Sequence, residues 1–272
     1  MKLKIVLIIS SILIGLHSSA QKKLSKDELQ DVASLSRQGQ IDKALEKVNA
    51  LKKTTAKDDP QYLLLIMMSG ELNIKALNCE DAIRDAEEIM QLSPDLETDC
   101  LSQIALFKKY LGDFEGAIIA YKRILILNPT DHIIYNNIAS TYNEAGNFVE
   151  AIETLNSNPS SERLHTEYYH YSFAYLNLNK LDSARHYIEK YLAADDEKNF
   201  SLAYTTGAKI YFALGYKKKS CEYITKANEI IINFRYFEQL NEKSAKVQNY
   251  YFVKKSLNEI KETEELKSKL CE

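Results

Sequence analysis

The chain has 272 residues, 45% hydrophobic and 27% charged, with a formal net charge of −3. That length fits one or two ordinary domains with a real apolar core. Eight glycines and four prolines are too few for an all-β fold or for long disordered linkers.

At the N-terminus, Met1-Lys-Leu-Lys4 supplies positive charge. Ile5 to Leu16 follows as an apolar run broken only by Ser10, Ser11 and Gly15, and Ser18-Ser-Ala20 offers small residues for cleavage. This reads as a secretory signal peptide over residues 1–20, cut after Ala20, so that the mature chain begins at Gln21. The run of 12 residues is short for ~30 Å of hydrocarbon, and an uncleaved anchor is the alternative. The expectation is a periplasmic or secreted protein with no membrane span after cleavage. Without Lys2 and Lys4 the chain holds 33 basic and 38 acidic residues, a balance that gives no support to nucleic-acid or anionic-membrane binding.

From there the chain is punctuated at one interval. A turn glycine or asparagine is followed two residues later by an apolar residue and five later by alanine. The copies are Gly39-Gln-Ile41-Asp-Lys-Ala44, Gly112-Asp-Phe114-Glu-Gly-Ala117, Gly146-Asn-Phe148-Val-Glu-Ala151 and Asn179-Lys-Leu181-Asp-Ser-Ala184. Looser copies end at Ala82 and Ser220. The six end points, 44, 82, 117, 151, 184 and 220, are spaced by 38, 35, 34, 33 and 36 residues. A period near 34 means stacked helical hairpins. The first hairpin opens at Ser25, where Ser25-Lys-Asp-Glu28 has the form of a capping box, and ends before Pro60. The second runs from Leu63 to Leu92, before Pro94. In the third, Leu101, Ile104, Ala105 and Phe107 precede Gly112, and Ala117, Ile118, Tyr121, Ile124 and Leu125 precede Pro129. In the fourth, Ile134, Tyr135, Ile138 and Tyr142 lie at helical spacing, and Pro159 closes the second helix. Six repeats are expected, at about 25–58, 63–96, 98–131, 132–164, 165–198 and 201–234. Beyond Arg235 the period is lost. Residues 235–272 read as capping helices, with Val253, Leu257 and Ile260 as a narrow apolar stripe that covers the last hairpin. A coiled-coil tail is the alternative, although the stripe is short for it.

Four cysteines could pair after export, but their places argue otherwise. Cys79 falls at a hairpin turn and Cys100 near the start of the next hairpin, a helix length away. Cys221 shares an edge with Cys79 but lies four repeats on, and Cys271 is next to the chain end. No structural disulfide is expected.

These residues resemble the tetratricopeptide repeat family. Its pattern places a large residue early in the first helix, a small one four later and an aromatic three after that. A turn glycine, an alanine five later and a helix-ending proline follow. The fourth hairpin supplies Tyr135, Ala139, Tyr142, Gly146, Ala151 and Pro159; the fifth Tyr168, Ser172, Tyr175, Asn179 and Ala184; the sixth Tyr204, Ala208, Tyr211, Gly215 and Ser220. The third supplies Leu101, Ala105, Gly112, Ala117 and Pro129, with Lys108 in the aromatic slot. The second supplies Ile66, Gly70, Ala82 and Pro94. The resemblance covers about residues 25–234 and implies an all-α, right-handed α-solenoid of about six hairpins, belonging to an exported bacterial member of the family. Tyr135, Tyr142, Tyr168, Tyr175, Tyr204 and Tyr211 are then expected in the core.

In such stacks the first helices line an inner groove. The residues just off the core positions are Asn136, Ser140 and Asn143 in the fourth hairpin, Tyr169, Phe173 and Leu176 in the fifth, and Thr205, Lys209 and Phe212 in the sixth. Ser102, Leu106 and Lys109 correspond in the third, and Met67, Glu71 and Ile74 in the second. Tyr169 and Phe173 form an apolar wall, and Asn136 and Asn143 can hydrogen-bond an extended peptide. These residues are the candidate site for a protein or peptide partner. The alternative is that they pack on the chain's own C-terminal helices or N-terminus. The basic cluster with which some family members grip chaperone carboxylates is missing.

The chemistry of catalysis is not legible. No HExxH, CxxC, G-x-S-x-G or phosphate-cradling glycine loop occurs. Glu167 and His170, like His186 and Glu189, are ordinary i, i+3 helical pairs. Lys217-Lys-Lys219 reads as a solvated edge. The expectation is a non-enzymatic scaffold with no cofactor and no metal. A structural subunit of an envelope assembly, using the convex face or the C-terminal helices, is the second reading, and the oligomeric state is left open.

Overall fold

The computed structural model describes residues 24–160, 165–194, 200–233 and 250–271. The signal peptide expected over residues 1–20 and the part of the C-terminal segment at 234–249 lie outside these. The described residues form α-helices, joined by short turns, with no strand among them. In order they are α1 (Lys26–Arg37), α2 (Ile41–Thr54), α3 (Pro60–Ala76), α4 (Cys79–Leu92), α5 (Glu97–Leu111), α6 (Phe114–Leu127), α7 (His132–Ala145), α8 (Phe148–Ser157), α9 (His165–Asn177), α10 (Leu181–Ala194), α11 (Ser201–Ala213), α12 (Lys217–Asn233) and α13 (Tyr251–Cys271).

Every hairpin turn uses one local device. Gly39, Leu77, Gly112, Gly146, Asn179 and Gly215 all have positive φ. After each, the next N–H reaches back to the carbonyl five residues earlier, as from Asn147 N to Tyr142 O at 2.8 Å and from Lys180 N to Tyr175 O at 2.8 Å. This 6→1 bond satisfies a terminal carbonyl and reverses the chain, and it requires a left-handed residue at the turn. Glycine adopts that conformation freely, whereas a side chain costs about 1–2 kcal/mol there. The second hairpin meets the requirement with Leu77 at φ 58. Leu77→Gly is therefore expected to stabilise the protein by up to about 1 kcal/mol in urea unfolding, once glycine's larger entropy loss is deducted.

Five residues after each turn residue the side chain is small and buried: Ala44, Ala82, Ala117, Ala151, Ala184 and Ser220. Small residues at these points let the two helices of a hairpin approach closely. Ser220 and Ser172 are buried hydroxyls that donate to the carbonyls of Ala208 at 2.8 Å and Ala184 at 2.9 Å. The capping box is present at α1, with Ser25 Oγ accepting from Glu28 N at 3.1 Å and Glu28 Oε2 from Ser25 N at 2.8 Å. Pro60 departs from its expected place. It opens α3 under the Asp59 cap, so that helix begins three residues before Leu63.

Two compact units divide the chain, one up to Cys100 and one from Leu101. The first holds α1 to α4 around Val32, Ala44, Val48, Leu65 and Leu72. Inside it Asp85 on α4 is buried and gathers three donors. Ser69 Oγ lies at 2.7 Å, Asn73 Nδ2 at 2.8 Å and Lys52 Nζ at 2.8 Å. In the second unit, from α6 onward, each helix packs on the next, and the first helices of successive hairpins touch, α7 on α9 and α9 on α11. Of the six tyrosines expected in the core, Tyr204 and Tyr211 are buried, while Tyr135, Tyr142, Tyr168 and Tyr175 are half-buried. The half-buried rings lie on neighbours instead. Tyr175 stacks on Tyr187 at 5.6 Å between centroids, and Lys122 lies over Tyr142 at 5.9 Å. In α9 the buried rings are Tyr169 and Tyr171, two residues apart and so on different faces, because that helix is packed on more than one side.

One expectation is overturned. Cys221 and Cys271 form a disulfide, with Cα atoms 5.0 Å apart. Cys271 does not trail from the chain end: α13 runs back against α12 and delivers it there. Cys79 and Cys100 are buried and take no part in a disulfide.

Candidate partner groove

The groove is built by the inner faces of α7, α9 and α11, with the end of α5 beside them. Its main occupant is α13. At 21 residues this helix is about 30 Å long. Its first turn meets the third hairpin, where Phe252 stacks on Tyr110 at 4.3 Å and Tyr251 sets its edge on Phe114 at 4.9 Å. Lys255 then lies 3.5 Å from Glu144 of α7, which also pairs with Lys109 at 2.9 Å. Further along, Thr263 approaches Thr205 at 3.4 Å and Glu262 pairs with Lys209 at 2.7 Å, both on α11. The last turn places Leu266 and Leu270 against Tyr204, Ala208, Ile224 and Ala227. The helix thus covers the last hairpin, as a cap would, and also extends back to the third.

The candidate residues fall into three groups. Tyr169 is only 9% exposed and belongs to the core with Ile188, Tyr191 and Ala203. Its ring meets Phe200 edge-on at 4.9 Å. The apolar wall expected to face a partner is therefore built into the core at Tyr169, since α9, α10 and α11 converge there. Phe173 and Leu176 are half-buried against the same cluster. Thr205 and Lys209 are engaged by α13, and Ser140 Oγ accepts from Lys109 Nζ at 3.2 Å. Asn143 donates from Nδ2 to the His170 carbonyl at 3.0 Å. The Oδ1 atoms of Asn136 and Asn143 are buried and accept no hydrogen bond. Phe212 remains 43% exposed. In the other hairpins, Leu106 is half-buried, Glu71 pairs with Lys75 at 2.8 Å, and Met67 and Ile74 are half-buried.

Sequence reasoning missed the titratable groups along α13's path: Glu144 on α7 and His170 on α9, with Lys255 and Glu259 on α13 itself. Burial raises the Glu259 carboxyl pKa, and Lys255 at 3.7 Å opposes that shift. His170 is pushed down to about 3 by burial, with the nearby Lys109 and Lys255 ammonium groups adding to the effect. The sign follows directly. The unfolded chain binds the His170 proton first, so this group's contribution is complete above pH 6.5 and is lost as pH falls below it. Between pH 7 and pH 5 the stability difference between the native chain and His170→Gln is expected to shrink by about 2 kcal/mol. Glu259 acts in the opposite direction but is common to both chains, so urea unfolding at the two pH values isolates the histidine.

Among the described residues, no cluster of His, Cys, Asp and Glu is placed to hold a metal ion. No helix among them is long and apolar enough to cross a membrane.

Comparison with known proteins locates the fold. Residues 168–198 match the tetratricopeptide repeat family model. No curated protein matches the chain. A tetratricopeptide repeat protein from Parabacteroides merdae aligns with a TM-score of 0.63 at 15% identity, over 89% of this chain and 98% of that one. PilW, a widely conserved type IV pilus biogenesis factor, aligns with a TM-score of 0.55 at 16% identity, over 78% and 96%. MamA from Desulfovibrio magneticus RS-1 aligns with a TM-score of 0.53 at 16% identity, over 62% and 94%. Residues 168–198 are thus a tetratricopeptide repeat, and the chain has the all-α helical-hairpin solenoid fold that tetratricopeptide-repeat proteins share.

Proposed function

We propose that the protein is an exported, non-enzymatic scaffold that binds a protein or peptide partner along the inner face of its second unit. One observation carries this reading: Asn136 and Asn143 keep buried carbonyl oxygens unfilled on α7. An unmet buried acceptor costs about 1–3 kcal/mol, and a bound chain's N–H groups are the natural donors. Phe212, exposed on α11, offers an apolar anchor nearby in the array. Export is supported by the leader-like N-terminus and by the Cys221–Cys271 bond, which persists in an oxidising compartment.

Part of the opposite surface favours a second reading, a structural subunit. Ile119 and Ile126 lie seven residues apart on α6, 63% and 79% exposed, with Val149 on α8 at 50%. A photo-crosslinking residue placed separately at Phe212 and at Ile119, in the native envelope, decides between them. Adducts at Phe212 that weaken in Asn136→Ala support the groove. Adducts only at Ile119 overturn it in favour of the outer face. Tyr169 is unsuitable for this test because its loss would disturb the core.

A further inference from the structure

We propose that α13 is a displaceable resident of the groove, and that the partner is an amphipathic helix of the same pattern, admitted when the Cys221–Cys271 bond opens. This rests on the reading that the groove binds a partner, and it replaces an extended peptide with a helix.

The contacts of α13 are those of a docked ligand. Only Val253, Thr263 and Leu270 of its 21 residues are buried. In α11, by contrast, eight of 13 are buried. The two ends of α13 are held by apolar contacts, Phe252 on Tyr110 and Leu270 on Tyr204, Ala208, Ile224 and Ala227. Between them lie the buried Val253 and Thr263, the latter 3.4 Å from Thr205, and the pairs Lys255–Glu144 and Glu262–Lys209. Such half-exposed pairs contribute little each. With α13 in place the Asn136 and Asn143 oxygens on α7 are buried and accept no hydrogen bond. A better occupant keeps apolar residues at the ends, a base opposite Glu144 and an acid opposite Lys209, and adds donors for the asparagines.

What binds α13 firmly is the covalent bond at its far end. Cys271 is exposed and Cys221 half-buried, so a dithiol reductant can reach the outer sulfur. Its thiolate attacks Cys271 Sγ, the S–S bond breaks, and the Cys221 thiolate leaves, taking up a proton. The second thiol of the reductant then resolves the mixed disulfide and frees Cys271. Two electrons pass to the protein, two protons yield two cysteine thiols, and the reductant leaves as its own disulfide. Once open, α13 stays tethered at an effective concentration of order millimolar, so it competes with a partner helix but no longer excludes it.

The test uses the full mature chain and a fluorescent peptide of residues 250–271 carrying Cys271→Ser. Peptide affinity is measured by anisotropy for the oxidised chain, the dithiothreitol-reduced chain and the Cys221→Ser/Cys271→Ser variant. Hydrogen exchange at 250–271 is followed in parallel. Reduction is expected to tighten peptide binding about ten-fold and to speed exchange at 250–271, while α7 and α11 stay protected. A scrambled peptide is expected not to bind. Glu262→Lys, which breaks the pair with Lys209 while the disulfide remains, is expected to speed exchange in the same segment should the double variant not fold. Unchanged exchange at 250–271 on reduction and in Glu262→Lys overturns the proposal, as does equal binding of the scrambled peptide. If exchange responds but no envelope protein crosslinks at Phe212, the partner-scaffold reading fails and the displaceable helix stands.

Discussion

Asp85→Ala is expected to destabilise the first unit by about 3–5 kcal/mol, the loss typical when one partner of a buried ion pair is removed. Asp85 holds Lys52, Ser69 and Asn73 at once, and its side chain is only 7% exposed, against 17% for Lys52. Truncation leaves an ammonium, a hydroxyl and an amide without their shared acceptor. Asp85→Asn keeps the shape but surrenders the charge and is expected to lose less. Lys52→Met removes the cation while two hydrogen bonds to Asp85 persist, and it too should fall short of the alanine variant. The check is urea unfolding followed by far-UV circular dichroism, since the chain has no tryptophan. Because whole domains are stable by about 5–15 kcal/mol, the alanine variant should leave the first unit close to its unfolding threshold. A loss below about 1 kcal/mol, the worth of an ordinary hydrogen bond, would show that the cluster contributes no special stability.

Cys271→Ser is expected to cost the second unit about 4 kcal/mol in the chain-entropy account for a closed loop of 50 residues. For a unit of this size that corresponds to a fall of roughly 10 °C in Tm. The reduced native chain should match the variant, because both lose the same crosslink. The check is thermal unfolding with and without reductant. A native chain whose Tm does not respond to reductant would mean that α13 stays ordered through its non-covalent contacts alone.

The legible part of the structure was the local part. The left-handed turn residue and the small residue five positions later are set by contacts within one hairpin, so Gly146 and Ala151, or Asn179 and Ala184, announce themselves in the sequence. Even the aberrant second hairpin keeps the phase, with Leu77 in the glycine's place. The capping box at Ser25 is local in the same way. Hidden were the features that join distant stretches. The pairing of Cys221 with Cys271 joins stretches 50 residues apart through the packing of α13 on α12, which no spacing rule encodes. The gathering of Lys52, Ser69 and Asn73 on Asp85 needs three helices at once. In the candidate groove, α13's apolar stripe was visible, but its span from Tyr110 to Ile224 was not. Tyr169 was misread for a related reason. A period of 3.6 identifies one buried face, whereas α9 touches α7, α8, α10 and α11 and buries more than one.

The segment that fills the groove is made after the helices that line it. While the chain is being made, the helices from α7 to α11 emerge and pair before α13 exists, and for that interval their inner faces meet water. A lining of bare leucine and phenylalanine would invite aggregation at that stage. Between the apolar contacts at its two ends, the surface that waits for α13 carries Lys109, Ser140, Glu144 and Lys209, groups that water solvates until the closing helix arrives. The polarity of the lining thus suits biogenesis as well as recognition: the half-made array can stay soluble with its ligand still on the ribosome.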